Sequence, residues 1–452
     1  MGNQPDIRAG RLPESAYAEN FGDVHPPLDR KAALIESSRC YFCYDAPCVE
    51  ACPTGIDIPS FIRKISTDNV RGAAQDILEE NILGGACARV CPTEVLCQQA
   101  CVRNAQEAKP VQIGLLQRYA TDAVMDSGTH PFSRAEKSGK TVAIVGAGPA
   151  GLACAHRLAM LGHDAVILEA RPKPGGLNEY GIAAYKLPDA FAQKEVDFVL
   201  QIGGIEIRNG QALGRDFTLA ELRRDYDAVF LGMGLGGVGN LGLEGEVLEG
   251  VYSAVDFIAE LRQSADLKAL PVGRKVVVIG GGNTAIDIAV QTKRLGAEDV
   301  TLVYRRGPEA MSATHHEQEF AQVNGVKIKH WAQPREIRGM NGHITDVIFE
   351  YTQLDDGGRL AGTGDVFSLP VDMLFKAIGQ TFLPPNEASG ANGGSELLEM
   401  DGDKIAVNEA RQTSLPDVWA GGDCVAVSED LTVAAVQDGK LAAEAINAFL
   451  RS

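Results

Sequence analysis

Two apolar strands, each running into a glycine-rich turn and then a helix, constrain this chain more than any other feature of its sequence. Thr141–Val145 leads into Gly146-Ala-Gly148-Pro-Ala-Gly151, a helix to about Gly162, and a second strand, Asp164–Leu168, closed by Glu169. Lys275–Ile279 repeats the arrangement with Gly280-Gly-Gly282-Asn283-Thr284-Ala285, a helix to about Leu295 and a strand Val300–Tyr304. A lone GxGxxG is a weak signal, but strand, turn, helix and second strand in that order define a dinucleotide fold. Its glycines let the backbone approach a pyrophosphate, whose charge sits at the helix N-terminus. The copies lie roughly 135 residues apart, alike as an internal duplication at the level of fold.

The second strands differ in how they end. Glu169 closes the first, a placement that suits a carboxylate accepting hydrogen bonds from a ribose. The second copy has Arg305 and Arg306 instead. Guanidinium groups there can clamp a 2′-phosphate, which favours NADPH and leaves NADH possible.

At 452 residues the chain is too long for one ordinary core, and 45% hydrophobic with 23% charged residues is a globular composition. It shows no uninterrupted apolar run of membrane-spanning length and no signal-peptide-like segment over Met1–Leu12, so a cytoplasmic protein without membrane contact is expected. The formal charge of -18 argues against nonspecific nucleic-acid binding, which needs a basic footprint.

Eight of the ten cysteines fall between Cys40 and Cys101. In a reducing compartment so dense an array reads as a metal site rather than a disulfide framework. Its blocks are Cys40-x2-Cys43-x4-Cys48-x3-Cys52-Pro53 and Cys87-x3-Cys91-Pro92-x4-Cys97-x3-Cys101. Zinc commonly uses paired short hooks, and only Cys40/Cys43 has the tight form. Four close cysteines ending in Cys-Pro instead resemble a ferredoxin run, so iron–sulfur clusters are expected, and spacing alone suggests two sets of four. Helical periodicity marks Ile56–Ile65, Ala73–Asn81 and Gln112–Met125, and the polar stretch Asp126–Lys140 reads as a linker.

Near the C-terminus, Val418-Trp-Ala-Gly-Gly422-Asp423 precedes a helix expected from about Thr432. It resembles the second flavin motif of two-dinucleotide-domain flavoproteins, in which the Asp meets the ribityl chain and the helix points at the isoalloxazine. Gly175-Gly176-Leu177 resembles their flavin-contacting loop, and Gly379 is taken with these as a cofactor contact. Disulfide reductases of that group carry a redox cysteine pair, whereas beyond Lys140 there are only Cys154 and Cys424, each read as a small core residue.

Ser38-Arg-Cys-Tyr-Phe-Cys43, Ala46-Pro-Cys48, Ala51-Cys-Pro-Thr54, Arg89-Val-Cys-Pro-Thr93, Leu96-Cys97 and Ile113-Gly-Leu-Leu-Gln-Arg118 together look like the NAD(P)H-oxidising part of dihydropyrimidine dehydrogenase in its bacterial two-subunit form. Glutamate synthase small subunits share much of this architecture. The resemblance implies one 4Fe–4S cluster on Cys40, Cys43, Cys48 and Cys101, and another on Cys52, Cys91, Cys97 and Gln117, with Cys87 a packing residue. A neutral amide in place of a thiolate makes the second site one unit less negative. The chain departs from the family at Lys186, in Tyr185-Lys-Leu-Pro188, where an arginine is usual near the flavin.

The expected fold is thus a helical iron–sulfur domain (1–128) followed by an α/β flavoprotein. Its FAD domain (139–270 and 381–452) holds an inserted NAD(P) domain (271–380). The resemblance implies electron flow from NADPH to FAD and then through two clusters, with no proton donor needed in the chain. A hetero-oligomeric partner carrying FMN and further iron–sulfur clusters would reduce uracil or thymine at the 5,6 double bond. The rival expectations are a glutamate synthase small subunit, a subunit exchanging electrons with ferredoxin, and a non-catalytic cluster scaffold or redox sensor.

Overall fold

The computed structural model describes residues 5–384 and 398–452. Residues 385–397, part of the expected C-terminal flavin segment, lie outside the described residues.

The cysteine region contains four main helices: α1 (Ile58–Ser66), α2 (Val70–Glu80), α3 (Gly84–Val90) and α4 (Ile113–Asp126). Asp57 and Asn69 start α1 and α2 by accepting the amide hydrogens of Ser60 and Gly72, which satisfies donors that a helix start leaves orphaned. Apolar residues at three- and four-residue spacing put Ile58, Phe61, Ile62 and Ile65 on one buried face of α1, and Ala73, Ala74, Ile77 and Leu78 on one face of α2.

The first nucleotide fold supplies β1 (Thr141–Val145), α5 (Pro149–Met160), β2 (Asp164–Glu169), α6 (Phe191–Leu200), β3 (Ile205–Asn209) and β4 (Ala228–Leu231). The second supplies β5 (Val251–Ser253), β6 (Lys275–Gly280), α7 (Asn283–Arg294), β7 (Asp299–Val303), α8 (His315–Val323) and β8 (Val326–Lys329). An antiparallel meander follows, β9 (Ala332–Met340), β10 (His343–Leu354) and β11 (Leu360–Pro370), then β12 (Met373–Ala377). β13 (Val418–Ala420) and α9 (Thr432–Arg451) end the chain.

Each fold has a five-stranded parallel sheet, ordered β13-β4-β1-β2-β3 in the first and β8-β7-β6-β12-β5 in the second. Unbroken burial of Val142–Val145 and Val276–Ile279 suits strands covered on both faces. Because β13 joins the first sheet beside β4, the second fold is inserted within the first.

Packing divides the chain into two units. One comprises His25–Glu179, Asp189–Gly236 and the described part of Phe382–Ser452; the other comprises the described part of Met1–Val24, with Tyr180–Pro188 and Gly237–Thr381. In the first unit the cysteine region and the first nucleotide fold are packed together. Glu195 of α6 accepts the Ala86 amide at 2.8 Å at the start of α3, and the Arg89 guanidinium lies 3.6 Å from the Phe191 ring centroid. Residues 126–140, read as a linker, are tied to this unit because their polar groups find partners. Arg134 donates to Asp164 at 2.7 Å, and Ser138 Oγ lies 2.7 Å from His163 Nδ1. Helix α9 crosses α5 through Gly439, where a Cβ would lie 2.1 Å from the Ala150 carbonyl oxygen.

In the second unit, residues 237–270 pack with the second nucleotide fold because Val251–Ser253 pairs with β12. The first described residues pack there too. Ile7–Arg8 pairs with Val272–Gly273, and Tyr17 and Phe21 enter that core.

One buried polar pair gives the first unit a pH dependence. His156 Nε2 lies 3.2 Å from His130 Nε2; burial, then the charges of His130 and Arg157, hold His156 well below the usual imidazole range. Folded His156 therefore stays neutral, while the unfolded imidazole takes a proton near pH 6.5. Stability is full above that pH and falls as pH drops below it, by at most about 1.4 kcal/mol per pH unit for one proton. We expect Tm to fall between pH 7.5 and 5.5, and to fall less in His156→Leu. An equal fall in both chains removes this histidine as the cause.

Candidate functional site

The first glycine turn lies where β1 ends and α5 begins. A Cβ on Gly151 would sit 2.0 Å from the Gly146 carbonyl oxygen, so the turn closes only on glycine. Gly148 caps α5 without a side chain, which leaves first-turn amides available to an anion. The Gly176 loop comes up against it: a Cβ on Gly176 would lie 2.6 Å from Gly148 Cα, and Gly175 N–H donates to the Ala147 carbonyl at 2.8 Å. Leu177 is 38% exposed beside them. Glu169 accepts the amides of Ala147 (2.7 Å) and Arg171 (2.8 Å), one on each carboxylate oxygen. Each oxygen keeps accepting capacity for a ribose hydroxyl.

The C-terminal motif meets the same turn. Gly422 N–H donates to Asp438 at 2.8 Å, and a Cβ on Gly422 would lie 3.2 Å from that of Ala150. Thr432 Oγ1 lies 3.2 Å from Asn178 Oδ1, which joins the start of α9 to the Gly176 loop. Asp423 makes no side-chain hydrogen bond to another described residue. Burial, with the charges of Asp430 and Asp438 and against that of Lys404, pushes its carboxyl up to about 6. A half-buried carboxylate without a partner beside an uncapped helix start fits a ligand bearing hydroxyls and phosphates, as FAD does. These residues gather at the carboxyl ends of parallel strands, where such folds bind nucleotides.

In the second fold a Cβ on Gly280 would lie 2.1 Å from the Ala377 carbonyl oxygen of β12. Gly282 caps α7 without a side chain, and Asn283 and Thr284 form the first turn. Arg305 and Arg306 are exposed just past β7 and have no carboxylate partner among the described residues. Gly379 has φ +104°, and a Cβ built on it would meet no described atom within 4 Å. Lys186 sits in an ion-pair triad within this unit, with Nζ 2.7 Å from both Asp287 of α7 and Glu317 of α8. Burial works against its charge, but the two carboxylates outweigh that and lift it to about 12.

The cysteines separate into two groups. Cys40, Cys43, Cys48 and Cys101 line one hollow whose walls include Ile58, Ile62, Val111 and Ile113. Burial pushes the Cys48 thiol up to about 12, helped by Cys40, Cys101 and Cys43; Cys40 is raised by burial and by Cys43 and Cys101. In the second group burial, then Cys52 and Cys48, push Cys97 up to about 12. Cys91 is raised by contact with the Cys87 thiol, then by burial, Cys97 and Cys52. Gln117 is buried on α4; its Nε2 donates to the Gly84 carbonyl at 2.7 Å, and its amide oxygen has no partner among the described residues.

Among the described residues no three His, Cys, Asp or Glu side chains converge on a single metal ion. Thiols spread over the walls of a hollow fit a cluster, which takes its sulfurs on separate irons. The sequence reading did not find three neighbours of these sites: the Cys87–Cys91 contact, the Thr54 hydroxyl beside Cys52, and Lys440. Only Thr54, two residues past Cys52, carried a local signal.

Residues 17–129 match the family model described as dihydropyrimidine dehydrogenase domain II, 4Fe-4S cluster, and residues 140–439 match pyridine nucleotide-disulphide oxidoreductase. The chain is 35% identical over 439 residues to a homologue of the NAD-dependent dihydropyrimidine dehydrogenase subunit PreT from Salmonella typhi, covering 97% of this chain and 98% of the relative. It is 36% identical over 450 residues to the glutamate synthase (NADPH) small chain of Escherichia coli K12, covering 95% and 94%. Its fold is shared by FprA of Mycobacterium tuberculosis, solved with NADPH (TM-score 0.57, 21% identity, 68% of this chain and 83% of that one). The thioredoxin reductase of T. acidophilum shares it as well (TM-score 0.54, 21% identity, 69% and 100%).

If the Cys40 hollow holds a cluster, Cys48→Ser in the full chain should lower bound iron by about four atoms per flavin. FAD content should stay unchanged. Undiminished iron removes Cys48 from the ligand set.

Proposed function

The chain belongs to the pyridine nucleotide-disulphide oxidoreductase family, within the group of iron–sulfur electron-input subunits that includes dihydropyrimidine dehydrogenase subunits and glutamate synthase small chains, and from that premise we propose that it is the electron-input subunit of a dihydropyrimidine dehydrogenase. It oxidises NADPH at FAD and passes single electrons through two 4Fe–4S clusters to a partner subunit holding FMN and further clusters. That partner reduces uracil or thymine to the 5,6-dihydro form.

The observation that carries the reading is the grouping of the cysteines: four around one hollow, and Cys52, Cys87, Cys91 and Cys97 near one another, with Cys48 of the hollow close to Cys97. Gln117, buried and with its amide oxygen free among the described residues, is the proposed fourth ligand of the second group. FAD, when bound, converts a two-electron donor into a source of single electrons. The chain's own part is to bind and orient. The uncapped start of α5, Glu169 and Asp423 hold the pyrophosphate, ribose and ribityl groups; the start of α7 holds the coenzyme's pyrophosphate; Gly176, Leu177 and the N-terminus of α9 bound the flavin's place. No side chain has to move a proton for hydride transfer, so none is assigned as acid or base.

The relatives' names divide on the coenzyme, one NAD-dependent and the other NADPH. Arg305 and Arg306, exposed and without carboxylate partners among the described residues, favour NADPH. Replacing both with Ala should raise KM for NADPH by tenfold or more and leave KM for NADH within about twofold, since each lost phosphate contact is worth about 1–3 kcal/mol. Equal effects on both coenzymes remove the 2′-phosphate role.

A glutamate synthase small subunit is the second reading, because similarity to that chain is as high and covers nearly the whole length. Co-expression with a candidate FMN subunit separates the two. NADPH-dependent loss of uracil supports the first, and activity only with glutamine and 2-oxoglutarate overturns it.

A further inference from the structure

Cys52 has a polar surround. Thr54 Oγ1 lies 3.4 Å from Cys52 Sγ. Thr54 is 2% exposed, so water does not compete for that hydroxyl. A ligating thiolate has no proton, which makes Thr54 the donor and the sulfur the acceptor. The same residue is held from its other side by α9, where Lys440 donates to the Thr54 carbonyl at 3.1 Å and to Glu80 at 2.6 Å. Lys440 is 9% exposed. It lies eight residues past Thr432, about 12 Å along the helix, so one helix runs from the Gly176 loop to the Cys52 loop. Neither Thr54 nor Lys440 lines the hollow of Cys40, Cys43, Cys48 and Cys101.

We propose that Thr54 and Lys440 set the reduction potential of the cluster held by Cys52. This rests on the cluster reading above. Reduction adds one negative charge to a cluster. A hydrogen bond to its sulfur and a buried positive charge nearby both favour that charge, and both raise the potential. Burial leaves the ammonium little screened by salt. Lys440 acts in two ways, as the clamp that keeps the Thr54 hydroxyl on the sulfur and as the positive charge that offsets the Glu80 carboxylate paired with it, so its loss leaves that negative charge uncompensated. It is a positioning residue, and Thr54 is the group in contact with the ligand.

The test uses the full chain with FAD and clusters loaded. Iron and sulfide are counted first, and the potential of each cluster is then read by redox titration followed by electron paramagnetic resonance. Thr54→Val and Lys440→Met should each shift one cluster to a more negative potential and leave the other in place. We expect about a tenfold fall in its reduced-to-oxidised ratio at fixed potential, equivalent to about 59 mV for one electron. Thr54→Ser and Lys440→Arg should restore the original value. Full iron with unmoved potentials in Thr54→Val and Lys440→Met overturns the proposal, as does a Thr54→Ser chain displaced as far as Thr54→Val. Lys440→Met supplies the reading if Thr54→Val does not hold its iron. A parent chain that binds no iron overturns the cluster reading instead, and iron analysis reports that before any potential is measured.

Discussion

Everything in the first unit hangs on how closely α9 approaches α5. At the crossing Gly439 leaves no room for a side chain against the Ala150 carbonyl, and its sequence neighbours take their places from that contact. Successive helical residues point about 100° apart. Asp438 therefore faces the Gly422 amide and Arg411, Gly439 faces α5, and Lys440 faces the Thr54 loop. Three consecutive residues thus serve the C-terminal motif, the first glycine turn and the cysteine region. A change of helix register at that point would misplace all three.

Electrostatics in the cysteine region favours bound metal. Cys40, Cys48, Cys91 and Cys97 are each raised above the ordinary thiol range by burial and by neighbouring thiols. A cationic centre reverses that preference, because it turns mutual repulsion between thiolates into attraction to a shared charge. The second nucleotide fold handles charge differently. Its buried Lys186 is matched to two carboxylates, one of which, Glu317, keeps an oxygen without a partner among the described residues. The Tyr180–Pro188 segment is thereby fixed to α7, with the Ala183 amide donating to Asp287 as well.

Much of this was legible in the chain. Apolar runs bounded by glycine placed β1 and β6 to within a residue, because strands buried on both faces have few other sequence patterns. Spacing alone suggests one set of four in each cysteine block, whereas in the fold Cys101 of the second block lines one hollow with Cys40, Cys43 and Cys48 of the first. What local pattern could not reach were contacts between residues far apart in sequence. Nothing near Lys440 in the sequence points to the Thr54 carbonyl, 386 positions away, to which it donates. The stretch 126–140 reads as a linker because it is polar, yet Arg134 and Ser138 use that polarity to dock on Asp164 and His163. Lys186, placed near a flavin by the resemblance, pairs with carboxylates of α7 and α8, which nothing near Lys186 in the sequence specifies.

The staples across the first unit bear on how such a protein could be taken apart or recombined. In sequence the cysteine region and the nucleotide folds look like separable cassettes joined near residue 130. In the folded chain, a cut there would strand Glu195, whose carboxyl is held up near 8 chiefly by burial and rests on the Ala86 amide, and would leave Lys440 facing no carbonyl. Buried polar groups without partners are costly. The transplantable piece is therefore the cysteine region together with α6 and α9, a module continuous in space and scattered along the gene.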